Sequence, residues 1–87
     1  MDNVQHLPQQ HRFVVECEGA EAILQYHLMK PSGSDKSQAV DFSSTYVPPS
    51  FRGKGIAEKL VRTGIAWAKE QNYELHASCW YVAKFIR

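Results

Sequence analysis

Tyr46-Val47-Pro48-Pro49-Ser50-Phe51-Arg52-Gly53-Lys54-Gly55-Ile56-Ala57 joins an extended run to the longest helical pattern in the chain through a basic, glycine-rich turn. Pro48 and Pro49 end the strand, because proline brings no amide donor to a ladder and restricts the residue before it. Gly53 and Gly55 allow backbone conformations that a side chain forbids, so successive amides turn toward one point. That point lies at a helix start, where the first N–H groups lack intrahelical partners and the helix dipole contributes roughly half a positive charge. Arg52 and Lys54 add full charges. The turn reads as a cradle for an anion, a phosphate above all. The plain alternative is a connector whose glycines only cap and turn.

Upstream of the turn, residues 38–47 read as a strand. Strict alternation puts Val40, Phe42, Ser44 and Tyr46 on one face and Ala39, Asp41, Ser43, Thr45 and Val47 on the other. The second face is polar in its middle, and a bulge near Ser43-Ser44-Thr45 would re-aim those side chains. Downstream, the helix starts at about Gly55. Ala57, Val61, Gly64 and Ala68 share a stripe at helical spacing, with Glu58, Lys59, Arg62, Lys69 and Glu70 on the solvent side. Gly64 costs about 1 kcal/mol against alanine inside a helix, which points to close packing of the backbone on a sheet. Gln71-Asn72 closes the helix, residues 73–79 alternate as a fourth strand, and residues 80–87 form a short terminal helix.

Toward the amino terminus, residues 12–18 and 22–29 make a hairpin with Phe13, Val15 and Cys17 on one face of its first arm and Ala22, Leu24, Tyr26 and Leu28 on one face of its second. Residues 30–37 are loop, and residues 1–11 are polar and expected as a loose leader to one domain over 12–87. The expected fold is mixed α/β: an antiparallel three-strand meander, a helix, a parallel fourth strand and a short terminal helix. A strand–helix–strand crossover of this kind is right-handed and brings the turn and Cys79 to the carboxyl ends of neighbouring strands.

With 87 residues the chain makes one small domain, and 44% hydrophobic content supports a packed core. A formal charge of +1 gives no field for nucleic acid or an anionic membrane. Cys17 and Cys79 have no metal-ligand spacing, so no metal is expected and the default is two reduced thiols. No apolar run approaches the ~20 residues that span a bilayer, and residues 1–8 lack the regions of a signal peptide. The expected place is the cytoplasm.

The turn fails two phosphate fingerprints. Gly53-Lys54-Gly55 has neither the spacing nor the hydroxyl of a Walker A loop, and a GxGxxG pattern would need glycine where Glu58 stands. Arg52-Gly53-Lys54-Gly55-Ile56-Ala57 does fit R/Q-x-x-G-x-G/A. With Arg12-Phe13, Ala22 and Tyr26, Thr45-Tyr46-Val47-Pro48-Pro49 and Cys79-Trp80-Tyr81-Val82, it resembles the small, minimal members of the GNAT (GCN5-related) N-acetyltransferase family over residues 11–87. The resemblance implies acetyl-CoA as co-substrate, its pyrophosphate on the amides of Arg52, Gly53, Lys54, Gly55, Ile56 and Ala57 and its pantetheine arm along Thr45, Tyr46 and Val47. It further implies transfer of the acetyl group to an amine. A compact chain leaves scant material for a deep acceptor pocket, which favours an exposed amine on a protein or peptide over an encased small molecule.

Two readings of Cys79 stand side by side: a small core hydrophobe, or the thiol that takes part in the transfer, as the resemblance suggests for a cysteine at this place. His76, three residues away on a strand, falls on the other face and is a poor base for it. Direct attack by the amine needs a base instead, and Asp41 and Ser43 on the polar face of the third strand are the candidates. Ser44 stands where similar proteins often carry histidine, and the chain ends at Arg87 without their His-Pro-acidic extension. A rival reading is a non-catalytic acyl-CoA-binding or partner-binding module, and a weaker one a purely structural domain.

Overall fold

Alternation along residues 12–29 turns Phe13, Val15, Ala22, Leu24 and Tyr26 to a common face, and all of them are buried. The computed structural model describes residues 4–17, 19–31, 38–51, 53 and 55–86. Its five-stranded sheet follows chain order, with β1 Gln5–Leu7, β2 Arg12–Cys17, β3 Ala20–Met29, β4 Ala39–Tyr46 and β5 Glu74–Ala77. Pairing is antiparallel from β1 to β4 and parallel between β4 and β5. Helix α1, Ile56–Glu70, makes the crossover, and α2, Trp80–Ile86, follows β5. The mixed α/β fold, the meander, the parallel last strand and the terminal helix are therefore as the sequence implies. The loop at 32–37 and the side chain of Cys17 lie outside the described residues.

The sheet has one strand more than expected. Residues 1–11 read as a loose leader because they are polar, yet Gln5–Leu7 pairs with β2. What holds this strand down is His6 used as an aromatic ring. It stacks on Phe13 at 4.2 Å between centroids and 10° between planes, meets the edge of Trp67 at 4.7 Å, and its Nε2 lies 2.6 Å from the Tyr26 hydroxyl. Burial pushes the His6 imidazole below its ordinary pKa. A depressed folded-state pKa means that the unfolded chain takes up the proton first, so this contribution is present above about pH 6.5 and is lost as pH falls through the folded value. We expect the stability of the wild-type chain to decline on acidification below about pH 6.5 more steeply than that of His6→Phe, read as urea midpoints at several pH values. Parallel curves for the two proteins would refute the assignment.

Helix α1 lies against the same face as Phe13 and Leu24. Leu60, Val61, Gly64, Ile65 and Ala68 form its buried stripe. At Gly64 an added Cβ would stand 2.7 Å from Leu24 Cδ2 and 3.1 Å from Phe42 Cε1, so the helix backbone rests directly on the sheet. That contact explains a residue whose helix propensity alone is unfavourable.

The strand β4 changes face partway along. Tyr26 pairs with Phe42 and Gln25 with Ser44, which leaves Ser43 as the extra residue of a bulge. Before it, Val40 and Phe42 are buried toward α1; after it, Thr45 takes that side opposite Leu24, and Tyr46, 56% exposed, points away. The bulge lies where the polar Ser43-Ser44-Thr45 run suggests. The strict alternation expected to carry Ser44 and Tyr46 onto the Phe42 face is overturned by that same extra residue.

Candidate functional site

The parallel ladder between β4 and β5 ends at the pair Phe42 and Ala77. One further bond, from the Cys79 N–H to the Phe42 carbonyl at 3.1 Å, ties the two segments together. Beyond it β4 runs on through Thr45 and Tyr46, while the other segment turns into α2. The gap so opened is a cavity of about 470 Å³. Thr45 and Val47 form one wall, Cys79, Trp80 and Tyr81 the other, and Gly53, Gly55, Ile56 and Ala57 one end.

The turn at that end is fixed by its own backbone. Gly53 has φ +83° and Gly55 φ +73°, values that cost an ordinary L-residue about 1–2 kcal/mol. Among the described residues nothing lies within 4 Å of where a Cβ would stand on either, so glycine is required here for conformation. Phe51 and Ile56, both buried, anchor the turn before and after. Gly55 occupies the N-cap of α1 with no side chain capping the helix, and its carbonyl accepts the Lys59 N–H at 3.1 Å. First-turn amides are thus not taken up by a capping side chain. Arg52 and Lys54, expected to add charge, lie outside the described residues.

On the facing wall, Cys79 Sγ lies 3.6 Å from Thr45 Oγ1. Burial alone would raise the thiol pKa, but hydrogen bonds from the backbone at Val82, the Thr45 hydroxyl and the backbone at Tyr81 and Thr45 outweigh it, and the net shift is downward. The bulge at Ser43 is what brings Thr45 to this position. A cysteine so placed is closer to its thiolate than one buried among apolar groups.

Of the residues anticipated from sequence, Thr45, Val47, Gly53, Gly55, Ile56, Ala57 and Cys79 meet in this one cavity. Tyr46 does not line it. Asp41 lies on the opposite sheet face, where its Oδ2 accepts the Ser78 hydroxyl at 2.7 Å, and Ser43 donates to the Gln25 carbonyl at 3.3 Å. Neither reaches the cavity. His76 is turned away from Cys79 and pairs with Glu74 at 2.5 Å. Glu58, Phe51, Trp80 and Tyr81 complete the lining and were not named as site residues; Phe51 and Glu58 flank the turn, and Trp80-Tyr81 belong to the run after Cys79 that carries the resemblance. Glu58 is paired across one helical turn with Arg62 at 2.7 Å, an exposed contact of little energetic weight. Among the described residues no group of His, Cys, Asp and Glu side chains is arranged to hold a metal, and no helix is long and apolar enough to cross a membrane.

A family model described as GCN5-related N-acetyl-transferase matches residues 12–87. Protein NATD1 of Bos taurus is 30% identical over 86 residues, which is 97% of this chain and 71% of that protein. Protein NATD1 of Homo sapiens is 29% identical over the same length, with 97% and 71% covered. Among solved structures, an aminoglycoside acetyltransferase, meta-AAC0020 from an uncultured soil metagenomic sample, in complex with sisomicin, superposes with a TM-score of 0.67 at 18% identity over 85% of this chain. The present chain spans about half of that protein, 52% of its length, and the likeness is one of fold. By the extent of the family match and the shared fold, this chain belongs to the GCN5-related N-acetyltransferase family.

Proposed function

We propose that residues 12–87 bind acetyl-CoA in the gap between β4 and β5 and transfer its acetyl group to an amine. The observation that carries this reading is that an open, left-handed glycine turn, a helix start without a capping side chain and a thiol of lowered pKa share one cavity. The fit to the coenzyme is good on chemical grounds. Diphosphate suits a turn whose amides are approachable, and a narrow chain suits a slot walled by Thr45 and Val47. In this reading the amides from Gly53 to Ala57 hold the pyrophosphate, with Arg52 and Lys54 supplying charge, and the edge of β4 at Thr45, Tyr46 and Val47 aligns the pantetheine arm.

The coenzyme supplies an acetyl group already activated as a thioester. Cys79 acts as the chain's reacting group, its sulfur kept toward the thiolate by the Thr45 hydroxyl and the backbone donors around it. Asp41, engaged by Ser78 on the other face, serves the fold rather than the proton transfer. The acceptor in this reading is an exposed amine on a protein or peptide. A thiol that must stay free to react supports a reducing compartment, the cytoplasm.

Acetyl-CoA at ~100 times its dissociation constant should stabilise the fold by about 2.7 kcal/mol, and ATP or NAD should not. Thermal melts with each ligand test this, and equal melting points with and without acetyl-CoA would remove the reading. Release of free thiol in the presence of an amine panel then separates an enzyme from a binder.

A further inference from the structure

Trp80 is 73% exposed, well above Tyr46, Leu28 and Met29, the other exposed large apolar side chains among the described residues. It stands at the mouth of the cavity next to Cys79. Its ring meets Tyr81 edge to face, with centroids 5.9 Å apart and planes at 88°, so the two rings form a corner. Lys84, one turn further along α2, projects its ammonium into that corner. Nζ lies 5.2 Å from the Trp80 centroid and 5.1 Å from the Tyr81 centroid. Two π-faces converging on one cation form half of an aromatic cage, an arrangement that recognises ammonium groups. Glu58 stands close enough to oppose ionisation of Tyr81, an effect second to that of burial, so the corner holds a neutral phenol beside a carboxylate. Both features favour a cation and disfavour an anion.

We propose that the Trp80–Tyr81 corner binds the ammonium head of the acyl acceptor, a primary alkylammonium of the lysine side-chain type, and that Lys84 is a resident cation which the acceptor displaces. This rests on the acetyl-transfer reading and adds to it the class of acceptor and the residues that select it. Lys84 is exposed, and among the described residues it is held by ring contacts, so exchange with an incoming ammonium costs no buried packing. The corner lies on the same cavity wall as Cys79; the bound head gives up a proton to solvent before its nitrogen attacks the acetyl carbon, and the sulfur that carried the acetyl group leaves as the thiol.

The test uses the full chain without coenzyme, so its outcome is independent of the acetyl-CoA melts. n-Butylamine hydrochloride is titrated while the Trp80 indole resonances are followed, with n-butanol as the neutral control and a lysine-containing peptide as a further arm. Butylammonium should shift the Trp80 signals and n-butanol should not. Lys84→Gln should tighten the ammonium about two- to fivefold and Trp80→Leu should weaken it by a similar factor, the range for an exposed cation–π contact. A peptide that binds more tightly than butylamine identifies a protein acceptor, and equal binding identifies a free amine. An unchanged ammonium affinity in Lys84→Gln would overturn the proposal. So would a Trp80→Leu variant that loses acetyl-CoA affinity and keeps ammonium affinity, since the indole would then belong to the coenzyme's adenine.

Discussion

Cys79→Ala is expected to lower acetyl transfer by about 10²–10⁴-fold, the contribution of a well-positioned reacting group, while the thermal shift produced by acetyl-CoA survives. The separation follows from the geometry. Binding is assigned to backbone at the glycine turn and to the edge of β4, neither of which uses the thiol, whereas the sulfur faces the cavity between Thr45 and the start of α2. Removing one sulfur from a half-buried position leaves Phe42, Val82 and the turn in place, so the fold should persist. The same geometry fixes a pH dependence. Since the donors around Sγ hold the thiol below its ordinary range, alkylation by iodoacetamide should reach half-maximal rate at a lower pH than for an ordinary cysteine. Thr45→Val, which removes one of those donors, should move that midpoint upward. Undiminished turnover in Cys79→Ala would mean that the amine attacks the thioester directly and would take the thiol out of the mechanism.

The parts of this site that were legible in the sequence are those whose cause is local. Gly53 and Gly55 announce left-handed backbone, Pro48-Pro49 announces the end of a strand, and the stripe from Ile56 to Ala68 announces the helix whose start completes the cradle. The polar run Ser43-Ser44-Thr45 even marked the bulge. Its consequence was not legible, because alternation counts residues and one unpaired residue reverses every face after it; Thr45 therefore enters the cavity and Tyr46 leaves it. Cys79 meets Thr45 across 34 positions of sequence, a contact that no periodicity encodes and only the parallel register of β4 with β5 creates. β1 escaped notice for a different reason. Its anchor is one histidine that packs as an aromatic against Phe13, Tyr26 and Trp67, and composition counts histidine as polar.

Phe42→Ala is expected to destabilise the chain by about 3–5 kcal/mol, a large part of the ~5–15 kcal/mol available to a domain. Phe42 is fully buried, stands edge-on to Tyr26 at 6.2 Å, and fills the space beneath Gly64, where the helix already touches the sheet. Helix α1 has no side chain at that point with which to sink into the void, so the cavity should remain open and carry its full cost. Position matters as much as volume. Phe42 is the last rung of the β4–β5 ladder, its carbonyl receives the Cys79 amide, and the bulge begins at the next residue. Loosening it should therefore reach the functional gap as well as the core, so that acetyl-CoA raises the melting temperature of Phe42→Ala less than that of the wild type. Tyr46→Ala removes a comparable ring four residues along the same strand, from an exposed position on the other face, and should change stability by no more than about 0.5 kcal/mol. Urea midpoints of the two variants decide the matter. Equal losses would mean that the sheet and α1 are not packed through Phe42, and that the splay of β4 from β5 has some other support.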